Sequence, residues 1–164
     1  MEFTLNRRRL VRRLMTPDRE ALSRVVARQS LPAIQSKEND MQKYLLIALG
    51  GALGSVARYW VGSAISGRMG AKFPYGTFVI NVTACLIIGF TLTFLGKRVD
   101  LSPAWRYLIP VGFIGAYSTF STYEWETLST LRSGAVALAA LYAGGSLIAG
   151  LVAVWCGAAL AEML

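Results

Sequence analysis

The stretch Gly112-Phe113-Ile114-Gly115-Ala116-Tyr117-Ser118-Thr119-Phe120-Ser121-Thr122-Tyr123 decides how this chain folds. It sits inside an apolar window from about Tyr107 to Leu131, yet it opens on two glycines and continues as a run rich in hydroxyls. A plain lipid-facing helix does not look like this. Glycines followed by consecutive Ser and Thr loosen a helix, because the hydroxyls compete for backbone groups. Irregular backbone at membrane depth survives only when buried in protein or facing a wet cavity. The pattern predicts a helix break between Gly115 and Thr119.

Three more apolar windows surround this one, each near the roughly 20 residues that a membrane crossing needs. Tyr44 to Ile65 is interrupted only by Arg58, and Tyr75 to Leu95 holds a single amide, Asn81. Ala135 to Leu160 holds Tyr142 and Ser146, whose spacing of four puts both hydroxyls on one helical face. The whole chain of 164 residues is 54% hydrophobic and 16% charged, which leaves too little polar surface for a soluble domain. The fold expected is an all-α integral membrane protein with four transmembrane helices, the third broken near its middle. Connections of about ten residues predict that consecutive helices pack as neighbours, in one membrane domain over 41–164 without a separate soluble catalytic domain.

Residues 1–40 differ in kind. They carry Arg7, Arg8, Arg9, Arg12, Arg13, Arg19, Arg24, Arg28 and Lys37 against Glu2, Asp18, Glu20, Glu38 and Asp40. With Leu10, Leu14, Leu22, Val25 and Val26 they form a basic amphipathic pattern with no apolar run of signal-peptide length. The segment reads as a surface-lying or disordered arm, and Met41 is a candidate translation start. Half of the net charge of +8 comes from this segment, and the rest reads as membrane flanks rather than nucleic-acid binding, because the cations after residue 40 mostly border apolar spans. Lys43, Lys97, Arg98 and Arg106 fall on one side, and Arg68, Lys72 and Arg132 on the other. So even a balance suits a chain that inserts both ways and pairs with an inverted copy of itself; counting the arm would instead fix the amino terminus inside.

No histidine is present, so imidazole metal sites, Ser-His and Cys-His dyads and imidazole relays are excluded. Cys85 and Cys156 lie in apolar runs without metal-ligand spacing and read as buried thiols. What remains inside the spans is mostly hydrogen-bond donors: Asn81, Thr83, the hydroxyls of Ser118 to Thr122, Tyr142 and Ser146, with Arg58 as a cation and Glu124 and Glu126 as acids. The first, second and fourth spans hold no carboxylate, which disfavours a proton-coupled carrier. Amide and hydroxyl donors, with the positive edges of aromatic rings, can replace the water around a small anion.

Each residue also has a plainer role. Asn81 can bridge two helices, Phe120 and Tyr123 can be core, and Tyr142 with Ser146 can be interhelical glue. Gly50 and Gly54 form a GxxxG that reports close helix contact. Arg58 either snorkels to the interface or supplies a positive vestibule.

Three motifs in order carry a resemblance to one family. Gly50-Gly51-Ala52-Leu53-Gly54-Ser55-Val56-Ala57-Arg58-Tyr59, Phe73-Pro74-Tyr75-Gly76-Thr77-Phe78-Val79-Ile80-Asn81 and the stretch quoted first resemble the Fluc (CrcB) fluoride channels, over residues 41 to about 160. The resemblance implies an antiparallel, dual-topology homodimer in the inner cell membrane, with two fluoride pores and a structural, untransported sodium ion at its centre. Sodium would be held by backbone carbonyls at the break in the third helix, matching Gly115 and Ser118. Asn81 would donate to fluoride, Phe120 and Tyr123 would form the aromatic box, and Ser121, Thr122, Tyr142 and Ser146 would form the hydroxyl track. Glu126 matches an acidic position near the pore mouth.

The chain departs from the family pattern at Ser118, Tyr123, Ala84 and Gly150, where the pattern has Thr, Phe, Gly and a hydroxyl. The function expected is passive, fluoride-specific conduction that exports the ion and lowers its cytoplasmic concentration; no enzyme activity and no nucleic-acid partner are expected. The alternatives are a small dual-topology proton-coupled multidrug exporter and a noncatalytic membrane assembly subunit.

Overall fold

The computed structural model describes residues 40–70, 73–98 and 100–164. The arm expected over 1–40 lies outside the described residues except for Asp40, and Lys72 lies outside them too. All regular structure among the described residues is helical: α1 (Asp40–Met69), α2 (Tyr75–Lys97), α3, made of the consecutive segments Ala104–Arg106, Tyr107–Ile114 and Gly115–Tyr117, α4 (Phe120–Arg132) and α5 (Val136–Glu162). Helices α1, α2 and α5 are each long and apolar enough to cross a membrane, which makes this a multi-pass membrane protein. The third apolar window is divided between α3 and α4, and neither half reaches that length alone.

The break falls at Ser118 and Thr119, inside the predicted interval. Both residues are extended, with φ −73° and ψ 156° at Ser118 and φ −148° and ψ 104° at Thr119. The hydroxyls act there as expected. Ser118 Oγ donates to the Ile114 carbonyl at 3.0 Å, and Thr119 Oγ1 caps α4 by accepting from the Thr122 N–H at 3.3 Å. A second irregularity has no counterpart in the sequence-based expectation. Tyr107–Ile114 is wound as a π-helix around Pro110. Proline brings no N–H to the ladder and its ring crowds the preceding turn, so a wider turn relieves both effects.

Two expectations about connectivity need correction. Helices run past their apolar windows, so the links are shorter than ten residues: α1 ends at Met69 and α2 begins at Tyr75, while α4 ends at Arg132 and α5 begins at Val136. Gly134, at φ 83°, makes the last of these turns in the left-handed region. The closest packing is also not between chain neighbours. Helix α2 lies mainly against α5, and α1 mainly against α3.

Small residues explain both pairings. A Cβ at Gly50 would run into the Leu108 carbonyl and one at Gly54 into the Phe113 carbonyl, while a Cβ at Gly112 would lie 2.9 Å from the Ile47 carbonyl. On the other seam, Gly89 faces the Val154 carbonyl and Gly157 the Leu86 carbonyl in the same way. Lipid tails are as apolar as Leu, so helices in a bilayer associate through close backbone packing, which these glycines allow. The GxxxG at Gly50 and Gly54 is thus a helix contact.

Between the seams Ile80, Ala84, Ile114 and Tyr117 form a buried cluster, with Ile109 and Phe113 packed against it. The Tyr117 hydroxyl is satisfied at 2.9 Å by Thr83 Oγ1. Flanking cations close helix ends: Lys97 Nζ donates to the Ala161 carbonyl at 3.3 Å, and an Arg106 guanidinium N–H donates to the Leu95 carbonyl at 3.2 Å.

Candidate functional site

The polar residues of α2 face the break and the half-helix after it. Thr77 and Asn81 are one turn apart on α2, hence on one face. Asn81 Nδ2 donates to the Thr119 carbonyl at 3.2 Å, and its Oδ1 accepts from the Thr119 N–H at 2.9 Å. One side chain therefore pairs with both backbone groups of a residue that has left the helical ladder. The bridging role is realised, and one Nδ2 hydrogen remains beyond this pair.

One turn toward the start of α2, Thr77 Oγ1 donates to Glu126 Oε1 at 2.8 Å, and the Tyr142 hydroxyl donates to Glu126 Oε2 at 2.8 Å. Helices α2, α4 and α5 meet at this carboxylate. The Tyr142 side chain is fully buried, with the ring of Phe73 edge-on at 5.3 Å and the ring of Tyr123 at 5.2 Å. Tyr123 donates its hydroxyl to the Ala143 carbonyl at 3.1 Å and lies 5.8 Å from the Phe120 ring. Aromatic edges and hydroxyls thus form one continuous row.

These contacts bring together Tyr123, Glu126 and Tyr142, while Asn81 pairs with Thr119 one turn along α2 from Thr77. Ser146 lies one turn beyond Tyr142 on α5, its Oγ buried without a hydrogen-bond partner among the described residues. Phe120, Ser121 and Thr122 do not converge on the row as a group: they are exposed on the protomer, although the Phe120 ring reaches Tyr123 and Thr122 Oγ1 accepts from Thr119 Oγ1 at 2.8 Å. Arg58 is half-buried on α1 and makes no ion pair among the described residues. Gly115 and Ser118 bracket the last turn before the break.

Glu126, expected near a vestibule, joins three helices as a node. Two participants escaped the sequence reading. Thr77 stands in a quoted motif without being singled out, though its spacing of four from Asn81 is a signal. Phe73 gives no signal of its own, because its contact with Tyr142 is set by how α2 and α5 pack.

Tyr142 and Ser146 respond differently to truncation. Tyr142→Phe removes a buried donor to a carboxylate and is expected to lower stability by about 1.5–3 kcal/mol, measured by thermal unfolding in detergent. Ser146→Ala removes a hydroxyl with no partner, so its unfolding temperature should match the parent's within about 1 °C.

Fold and site together define a small helical membrane protein with a broken helix and a cluster of hydroxyls and aromatic rings beside it. The family described as CrcB-like protein, Camphor Resistance (CrcB), matches residues 45–158, and the chain belongs to that family. It is 60% identical over 115 residues to a fluoride-specific ion channel FluC of Acidobacterium capsulatum, covering 70% of this chain and 92% of that one. It is 50% identical over 120 residues to the FluC of Solibacter usitatus, covering 73% and 98%, and 44% identical over 117 residues to a FluC of Thermus thermophilus, covering 71% and 93%.

Proposed function

We propose that this chain is a fluoride-specific passive ion channel, and not an enzyme, that lets fluoride leave the cell and so lowers its cytoplasmic concentration. The observation that carries this reading is similarity, over 92% and 98% of their lengths, to proteins named fluoride-specific ion channels, in a chain where Thr77, Glu126 and Tyr142 meet beside the Tyr123 ring. Its donors suit the task. Ser146 Oγ is a buried hydroxyl with nothing to donate to among the described residues, and Asn81 keeps a second amide hydrogen. Glu126 occupies the donors of Thr77 and Tyr142 and so holds the places that a passing fluoride takes. Ring edges of Phe120 and Tyr123 add partial positive charge. Fluoride enters from acid medium as neutral HF, ionises inside, and leaves down a gradient that an inside-negative potential favours.

We read α3 and α4 as the two halves of the third of four crossings, since at about 1.5 Å per residue they together exceed the roughly 30 Å hydrocarbon core. The working unit is then an antiparallel, dual-topology homodimer in the inner cell membrane. Phe120, Ser121 and Thr122 support this, because a second copy would cover pore residues that the protomer leaves exposed. The break also fits a structural sodium ion. The N–H groups that would close the helix onto the Gly115 and Ser118 carbonyls belong to Thr119 and Thr122, and they donate instead to Asn81 Oδ1 and Thr119 Oγ1. Oxygens freed in this way suit a hard cation, and Gly115 and Ser118 would hold it. When bound, the ion supplies charge that ties two inverted breaks together.

A bacterium lacking its own fluoride exporter tests the role in cells. Expression of this chain should restore growth in acidic medium containing millimolar fluoride, and Ser146→Ala should weaken that protection although it leaves the fold intact. Equal sensitivity with and without the intact, membrane-inserted chain would refute export.

A further inference from the structure

We infer that Asn81 is a positioning residue: by pairing with both backbone groups of Thr119 it fixes the direction in which α4 leaves the break, and with it the faces presented by Phe120, Ser121, Thr122 and Tyr123. The inference rests on the channel reading for the meaning of those faces, and on geometry alone for the latch. Two extended residues, Ser118 and Thr119, join α3 to α4, and such a link sets neither the tilt nor the rotation of the half-helix that follows. Contacts must supply both. Thr119 is buried, and its N–H points away from the α3 ladder to Asn81 Oδ1, so without Asn81 that donor has no partner in either half-helix. An orphaned N–H at membrane depth drives the backbone to rearrange.

A second rung fixes the remaining freedom. Thr119 and Glu126 are seven residues apart, two turns of α4, and so lie on one face; their partners on α2, Asn81 and Thr77, are four apart on one face. Two points hold an axis where one would let it pivot. Glu126 can keep its pair with Thr77 while the start of α4 swings, and the start is where Phe120 to Tyr123 lie. Thr119 also carries the cap of α4, so movement of its backbone carries the Thr122 N–H with it. The aromatic pair Phe120 and Tyr123 thus takes its direction from an amide on another helix.

The test combines fluoride efflux from liposomes with amide hydrogen exchange of the full-length protein, read on peptides covering 118–123. Asn81→Leu removes both bonds, and Asn81→Asp keeps the acceptor for the Thr119 N–H while losing the donor. Exchange over 118–123 should rise about tenfold or more in Asn81→Leu and by less in Asn81→Asp, with fluoride efflux falling in the same order. Ser121→Ala leaves the latch whole, so its exchange over 118–123 should equal that of the parent. Should Asn81→Leu fail to fold, the Asp variant decides alone.

Lost efflux with parental exchange would overturn the inference, since Asn81 would then act only by touching the ion. Raised exchange with full efflux would overturn it as well. A parent that passes no fluoride would instead remove the channel reading, while the exchange data still decide whether the latch exists.

Discussion

Phe120→Ile is expected to cut fluoride efflux by about tenfold or more while leaving the protein folded and its oligomer unchanged on gel filtration. The ring is 73% exposed on the protomer, so little of the protomer's own packing depends on it. Its neighbour within the chain is Tyr123, whose ring lies 5.8 Å away in a tilted arrangement and whose hydroxyl is anchored independently on the Ala143 carbonyl. Isoleucine keeps the bulk and apolar character but has no ring edge to present to an anion. Losing one such contact at a barrier raises it by about 1.4 kcal/mol or more, tenfold in rate. Efflux measured with a fluoride electrode checks this, and a full-rate Phe120→Ile channel would sink the aromatic part of the mechanism.

Gly157→Leu should abolish folded protein altogether. A Cβ at Gly157 would run into the Leu86 carbonyl and lie 2.8 Å from the Phe90 N–H, and these are backbone atoms of α2 that cannot turn aside as a side chain can. Helices α2 and α5 would have to separate, which also pulls Tyr142 away from the Thr77 and Glu126 node. Even Gly157→Ala is expected to cost about 1–3 kcal/mol by overpacking. Gly67 is the control: a Cβ there meets nothing within 4 Å, so Gly67→Ala should be neutral or stabilise α1 by up to about 1 kcal/mol. Yield and monodispersity on gel filtration separate the three variants, and a well-behaved Gly157→Leu protein would show that this seam does not hold the fold.

Much of the fold was legible because membrane insertion leaves coarse marks on a sequence. Apolar windows predict helices, and the Gly and hydroxyl run from Gly112 to Thr122 predicts the break that appears at Ser118 and Thr119. Packing partners were less legible. Helices α2 and α5 are apolar nearly all round, so no polar stripe says which face meets protein and which meets lipid. Neighbours in the chain were the natural guess, whereas Gly89 and Gly157 pair helices far apart in sequence. The widened turns over Tyr107–Ile114 could be anticipated only by giving Pro110 full weight inside a window otherwise ideal for a helix.

The site divides in the same way. Asn81 and Tyr142 stand out because polar groups in apolar spans are few, and both prove to be hydrogen-bonded to other segments of the chain. Glu126, one of two acids in a polar half-helix, was legible only as an acid near the pore mouth. Its weight comes from the two hydroxyls that converge on it from α2 and α5, a coincidence in space that spacing along the chain does not encode.

The most direct test of the central claim is ion efflux from liposomes holding the purified full-length chain, with a potassium ionophore clamping the voltage and chloride as the comparison anion. Rapid loss of fluoride with chloride retained is the predicted result. Retention of fluoride by liposomes that contain well-folded protein, or equal loss of both anions, would contradict it.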